Sequence, residues 1–264
     1  MSIKTQPSVI PAKVTLTVRG RRLDLTMSVP NAKVPASAML PLFRKVAEDF
    51  LDMGVADGEA AGNNVSCQKG CGACCRQLVP ISPIEAREIA RVVQQMEPTR
   101  RATILQRFAS ARRRLGQEQM LEALSQPEQH SNEHMRILGR EYFQLGIPCP
   151  FLEEESCSIY HDRPITCREY LVTSPPQHCA FPSAENISMV DLPAGPVWTA
   201  VARFDQSAGG RLPWVPLILA LEFAAASTDE PEKRPGKQWA QEFIARIAGR
   251  PQNAQKSSTG VSPV

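Results

Sequence analysis

Long apolar stretches are missing from this 264-residue chain. The longest run, Trp214 to Ala226, is interrupted by Pro216 and Glu222. A bilayer span needs about 20 apolar residues, so this run reads as a buried helix. Strong charge of one sign is missing too. A net charge of +3 is too small to imply a nucleic-acid or membrane partner, and neither is expected. The opening Met1-Ser2-Ile3-Lys4-Thr5-Gln6-Pro7 has no apolar h-region and no small-residue cleavage site, so no export signal is expected. Conventional catalytic signatures are lacking as well: no phosphate-binding glycine loop, no nucleophile elbow and no obvious acid–base pair. There is no internal repeat. At 42% apolar content the chain can nevertheless bury a real core.

What the chain does have is cysteine in two groups. Cys67, Cys71, Cys74 and Cys75 lie in Cys67-Gln-Lys-Gly-Cys71-Gly-Ala-Cys74-Cys75, and Cys149, Cys157, Cys167 and Cys179 follow after a long gap. Eight cysteines could form four disulfides in a secreted protein. Without an export signal the expected location is a reducing cytoplasm, where thiols persist and metal ligation is the better reading. Thiolates are soft ligands suited to zinc or to iron–sulfur iron. Gly70 and Gly72 permit positive φ and close backbone approach, and their amides could donate to thiolate sulfur. Neighbouring side chains usually diverge, so Cys74 and Cys75 are expected to serve different metal atoms or sites. That tilts the reading towards an iron–sulfur cluster, with [4Fe–4S] favoured and zinc as the alternative. One cluster with spare thiols, two four-cysteine sites and a polynuclear centre all remain open.

Radical S-adenosylmethionine enzymes share the Cys-x3-Cys-x2-Cys spacing. They usually carry an aromatic residue just before the last cysteine, where this chain has Ala73, and the strand–helix alternation of their barrel is not visible. His161 and His178 lie beside the second group but read as surface or hydrogen-bonded histidines. His130 and His134 form an i, i+4 pair without the glutamate of a His-Glu-x-x-His protease motif. Arg100, Arg101, Arg107 and Arg112 to Arg114 read as a solvated helix face.

Residues 13–29 alternate apolar and polar on either side of Gly20, which predicts a β-hairpin. A helix over 36–53 follows, with Leu42, Val46, Phe50 and Met53 on one face, and then a loop from Gly54 to Asn64. Ser82-Pro83-Ile84-Glu85 is a capping box with proline at the first helical position. It starts a helix carrying Ile89, Val92, Val93 and Met96. Further helices are expected over Thr99–Leu115 and from Ser131 to Gly146. These helices form an insert that returns the second cysteine group to the first. Residues 149–170 read as irregular, with a small hairpin and a helical turn from Pro164. Residues 174–196 read as proline-rich loop, and 212–226 and 236–249 as helices. The expected fold is mainly α with a small N-terminal β-hairpin and an irregular cysteine-rich metal-binding centre flanked by helices. The expected organisation is an N-terminal hairpin and helix (1–64), a cysteine-cluster domain (65–180) with its helical insert (82–146), C-terminal loop and helices (181–250), and a disordered tail (251–264).

At Cys67-x3-Cys71-x2-Cys74-Cys75, Pro148-Cys149-Pro150-Phe151-Leu152, Cys157-Ser-Ile-Tyr160 and Arg163-Pro164-Ile-Thr-Cys167-Arg168 the chain resembles the YkgJ-type cysteine-cluster family, described as zinc- or iron-chelating. The resemblance covers roughly residues 65–180 and implies cytoplasmic bacterial metal binding with the cysteines as ligands. It is also distantly similar to the flagellin lysine N-methylases, which implies a cluster-dependent enzyme as the runner-up. A metal carrier or interaction module is the third reading. The sequence does not decide whether the chain is an enzyme, and no protein partner is identified.

Overall fold

The computed structural model describes residues 8–248, except 19, 184, 206–209 and 228–231. The tail expected over 251–264 lies outside the described residues. The hairpin is longer than the alternation predicts: β1 (Val9–Val18) pairs antiparallel with β2 (Arg21–Pro30) along its whole length. Gly20 turns the ribbon at φ +74, a conformation without steric cost only for glycine. Leu16, Val18, Met27 and Val29 are buried on one face, as the strand period of two requires. That face packs on α9 (Gly236–Ala248). The strand β3 (Lys33–Pro35) pairs with β8 (Lys233–Pro235), and the Trp239 indole donates to the Val34 carbonyl at 2.8 Å.

The helix α1 (Leu40–Ala60) buries Leu42, Val46 and Phe50 as predicted, but it continues through the expected loop. Gly54 explains why. A Cβ there would lie 2.7 Å from the Asp191 carbonyl oxygen and 2.9 Å from a Val190 methyl. The glycine is a site of close approach inside the helix, not a breaker, and Leu51, Val190 and Leu192 form a small apolar cluster around it. Phe43 of α1 stacks against Phe243 of α9 with centroids 4.3 Å apart, at the centre of a core drawn from Leu16 to Ile247.

The short strand β4 (Pro80–Ile81) leads into α2 (Pro83–Gln95), whose capping box is fully formed. Next come α3 (Pro98–Gln117), α4 (Leu121–Ser125) and α5 (Asn132–Gln144); α4 was not predicted. The helix α3 buries Ile104, Phe108, Ala111 and Leu115, and α5 buries Met135, Leu138 and Tyr142. A two-residue hairpin joins β5 (Leu152–Glu153) to β6 (Ser156–Cys157), and α6 (Ile165–Glu169) starts after Pro164. The segment read as loop over 174–196 contains a 3-10 turn, Pro176–Ala180. The unpredicted helix α7 (Val197–Ala202) follows.

The segment 212–226 is not one helix. Its first part forms β7 (Val215–Pro216) against β4, then a 3-10 turn at Leu217–Leu219, and only then α8 (Ala220–Ala226). Proline cannot donate inside a helix, and the Leu217 amide is drawn to the Val79 carbonyl at 2.9 Å instead. The result is the predicted class: mostly helical, with an N-terminal hairpin and an irregular cysteine-rich centre among helices.

Candidate metal centre

The two cysteine groups converge. After the helical insert the Cys149 amide donates to the Cys75 carbonyl at 2.7 Å, and all eight cysteines line one cavity of about 1890 Å³. None is in a disulfide. Cys71 is exposed, Cys179 is buried, and the other six are half-buried.

Each loop is held in place by identifiable contacts. In the first, Gly70 takes φ +87, as the sequence implied. Gly72 serves closeness instead, since a Cβ there would meet Glu155 Oε2 at 2.5 Å and Leu152 Cδ1 at 2.8 Å. Cys74 and Cys75 sit in a 3-10 turn (Ala73–Arg76), where the Cys75 thiol is the largest influence on Cys74. Arg76 makes a two-pronged contact with Glu155, at 2.6 and 2.9 Å, which ties the first loop to the hairpin carrying Cys157.

That hairpin turns on Glu154 and Glu155 at φ +47 and +54, a conformation for which Asn-Gly is preferred. External contacts hold it. On α3, Arg107 donates to the Pro150 carbonyl at 3.0 Å and to Glu153 at 3.1 Å, while Arg100 donates to the Ser158 carbonyl at 2.9 Å. The other arginines of the basic run are engaged too, Arg112 with Glu222, Arg114 with Glu118, Arg101 with the Gln94 carbonyl and Arg113 with Ser110. The run thus includes two arginines that clamp a cysteine hairpin, a role that composition alone does not reveal.

Cys167 lies on α6, the most heavily braced element of the centre. The buried Glu85 carboxylate accepts from the Ser82 amide, the Ser82 hydroxyl and, at 2.7 Å, the Ile165 amide. One side chain therefore caps α2 and anchors the first residue of α6. Thr166 donates to the Pro80 carbonyl at 2.6 Å. Arg168 pairs with Glu48 of α1 and donates to the Arg163 and His161 carbonyls. Glu169 accepts from the Val197 and Trp198 amides that start α7.

Hydrogen bonds to sulfur come from ordinary residues, not from the glycine amides. The Val172 amide donates to Cys67 Sγ at 3.4 Å, and the nearby Phe151 and Ile159 amides act to lower the pKa of Cys149 and Cys157, each two residues upstream. Such bonds favour thiolate over thiol. Burial outweighs them in the protein without metal: it raises the pKa of Cys67, Cys157 and Cys179, carries Cys167 well above the usual thiol value, and pushes Cys149 up to about 12. Cys74 is raised most by the adjacent Cys75 thiol, then by burial. Charge on Cys74 would be felt by both groups, at Cys67 and Cys179 on one side and Cys149, Cys157 and Cys167 on the other.

Two histidines, His130 and His161, also line the cavity, but the histidines make other contacts. His178 Nδ1 bonds the Asn186 carbonyl at 2.8 Å, His161 is exposed against Tyr160, and His130 stacks on His134. Among the described residues, no three His, Cys, Asp or Glu side chains are placed to hold one metal ion between them. Four thiolates about 2.3 Å from a single zinc would bring their sulfurs within roughly 3.8 Å of one another. A cluster with its own bridging sulfide spans wider gaps.

The eight unpaired cysteines thus line one cavity, the arrangement a cysteine-cluster chelating domain requires. Residues 66–186, somewhat under half of the chain, match the CxxCxxCC family, whose description reads "Putative zinc- or iron-chelating domain". That segment is similar to this family, and the match supports metal binding. No curated protein and no solved structure matches it. No helix among the described residues is long and apolar enough to cross a membrane.

Proposed function

We propose that Cys67, Cys71, Cys74, Cys75, Cys149, Cys157, Cys167 and Cys179 are the ligands of an iron–sulfur centre that organises the middle of this protein. The observation that carries the reading is that all eight cysteines, from two distant segments, line one cavity. The adjacent Cys74 and Cys75 suit a centre with more than one metal atom better than a single tetrahedral zinc. Eight unpaired thiols accord with a reducing compartment. Such a group, when bound, supplies a redox-active, negatively charged core. The chain's own part is to present thiolates, donate the Val172 amide to Cys67 and brace α6. Purification of the full chain without oxygen, followed by iron, zinc and acid-labile sulfide analysis, tests this. Stoichiometric iron and sulfide with visible absorption is the expected result. Zinc alone, or folded protein without metal, overturns it.

One observation favours an enzyme as the second reading. At about 1890 Å³ the cavity exceeds the 300–1,000 Å³ typical of a ligand pocket, and beyond the cysteines it is lined by Tyr170, Trp198 and Trp214. The room beside the sulfurs suits a substrate. A change in visible absorption on adding S-adenosylmethionine or a reductant supports this reading, and silence to both favours a structural centre.

A further inference from the structure

Three arginines, Arg44, Arg163 and Arg168, come from α1 and from the loop and helix that carry Cys167. Two of them are matched to carboxylates. Arg168 pairs with Glu48, and Arg44 lies 3.7 Å from Asp162 while donating to the Asp162 carbonyl at 3.1 Å. Arg163 is different. Among the described residues it has no carboxylate partner. Its guanidinium sits 4.2 Å over the Tyr160 ring, with the Tyr160 hydroxyl 3.5 Å away, and its Nε is buried without a hydrogen-bond partner. The adjacent Asp162 side chain turns to Arg44 instead. Arg163 lines the same cavity as the eight cysteines, and its backbone is fixed because its carbonyl accepts from Arg168 Nε at 3.0 Å.

A half-buried cation with no counter-anion is unfavourable unless negative charge is supplied nearby. A metal held by four thiolates supplies it, since zinc so bound carries roughly two net negative charges. We propose that Arg163 is the resident counter-cation of the sulfur centre, a positioning residue that offsets thiolate charge and sets how readily the centre accepts an electron. The inference rests on the metal-binding reading above. Arg168 is thereby separated from Arg163 in role. Paired with Glu48 and two carbonyls, Arg168 braces the fold, whereas Arg163 keeps its charge for the cavity.

Three variants of the full chain, prepared without oxygen, test this: Arg163→Gln, Arg163→Lys, and Arg114→Gln as a control for loss of a distant charge. A redox titration reads the midpoint potential, and competition with a chelator reads metal loss. Removing a positive charge beside the cluster makes electron uptake harder. Arg163→Gln is expected to shift the midpoint to more negative potential and to lose metal to chelator several-fold faster. Arg163→Lys is expected to stay near the wild-type protein, and Arg114→Gln to match it. If Arg163→Gln does not accumulate folded, Arg163→Met, which keeps a stem over Tyr160 without the charge, decides the question. A neutral variant with wild-type potential and metal retention overturns the proposal, as does an equal shift in the control. If the wild-type protein holds zinc and no sulfide, the iron–sulfur reading fails and the chelator arm alone judges Arg163. Wild-type protein that takes up neither metal overturns both.

Discussion

At the scale of single residues, the thiols set a condition for loading the centre. Burial holds the protons on Cys67, Cys149, Cys157 and Cys167, so metal uptake must expel them, and affinity should fall as pH falls. The metal-free protein has its own pH dependence. Each raised thiol binds its proton more tightly in the folded chain than in the unfolded one, where the pKa is near the ordinary 9.0. This contribution to stability is fully present below pH 9.0 and is lost as pH rises towards the folded value of about 12 for Cys149. Denaturant titrations of metal-free protein should therefore show stability falling between those limits. A flat profile would show that the thiols are more hydrated than their surroundings imply. The eight cysteines and the Gly70 turn were legible in the sequence because short spacing and glycine carry their own physics. The role of Gly54 was not legible, since nothing near it in sequence says that Val190 and Asp191 pass within contact of its backbone.

At the scale of elements, the joint between α2 and α6 matters most. The sequence displays Ser82 and Glu85 as a capping box, and the box is present. What local reasoning could not supply is the second use of Glu85, which takes the Ile165 amide from 80 residues away. Replacing Glu85 with alanine strands the Ser82 and Ile165 amides in a buried site. The expected cost is about 3 kcal/mol, with each unsatisfied donor contributing some 1–3 kcal/mol. Chemical denaturation measures that loss. The same variant should retain less metal, because α6 carries Cys167. A variant with full metal content would mean that α6 holds its place through Thr166, Arg168 and Glu169 alone. The same limit explains the other elements misread from sequence. The segment 212–226 looks helical by composition, yet its first residues pair with Pro80 and Ile81, a partner no local window contains.

At the scale of the whole molecule, two kinds of cohesion lie side by side. The main core, from Leu16 to Ile247, includes none of the cysteines, whereas Cys149 and Cys157 border a second apolar cluster around Phe108 and Phe151. Bound metal in small metal-dependent domains can contribute on the order of 10–16 kcal/mol. Stripping metal from this protein should therefore loosen residues 66–80 and 148–180 while α1, α9 and the hairpin stay protected. Hydrogen exchange before and after chelation checks this, and uniform loss of protection would show that the core cannot stand without its inorganic centre. The pairing of β3 with β8 and the stacking of Phe43 on Phe243 have a consequence for biosynthesis. Both tie residues 33–43 to partners at 233–243, so the main core cannot close until those partners have left the ribosome. The sulfurs leave the exit tunnel well before that, at about 5–20 residues per second. Cofactor delivery thus has a window of several seconds in which the ligands are reachable on a nascent, still unsealed chain.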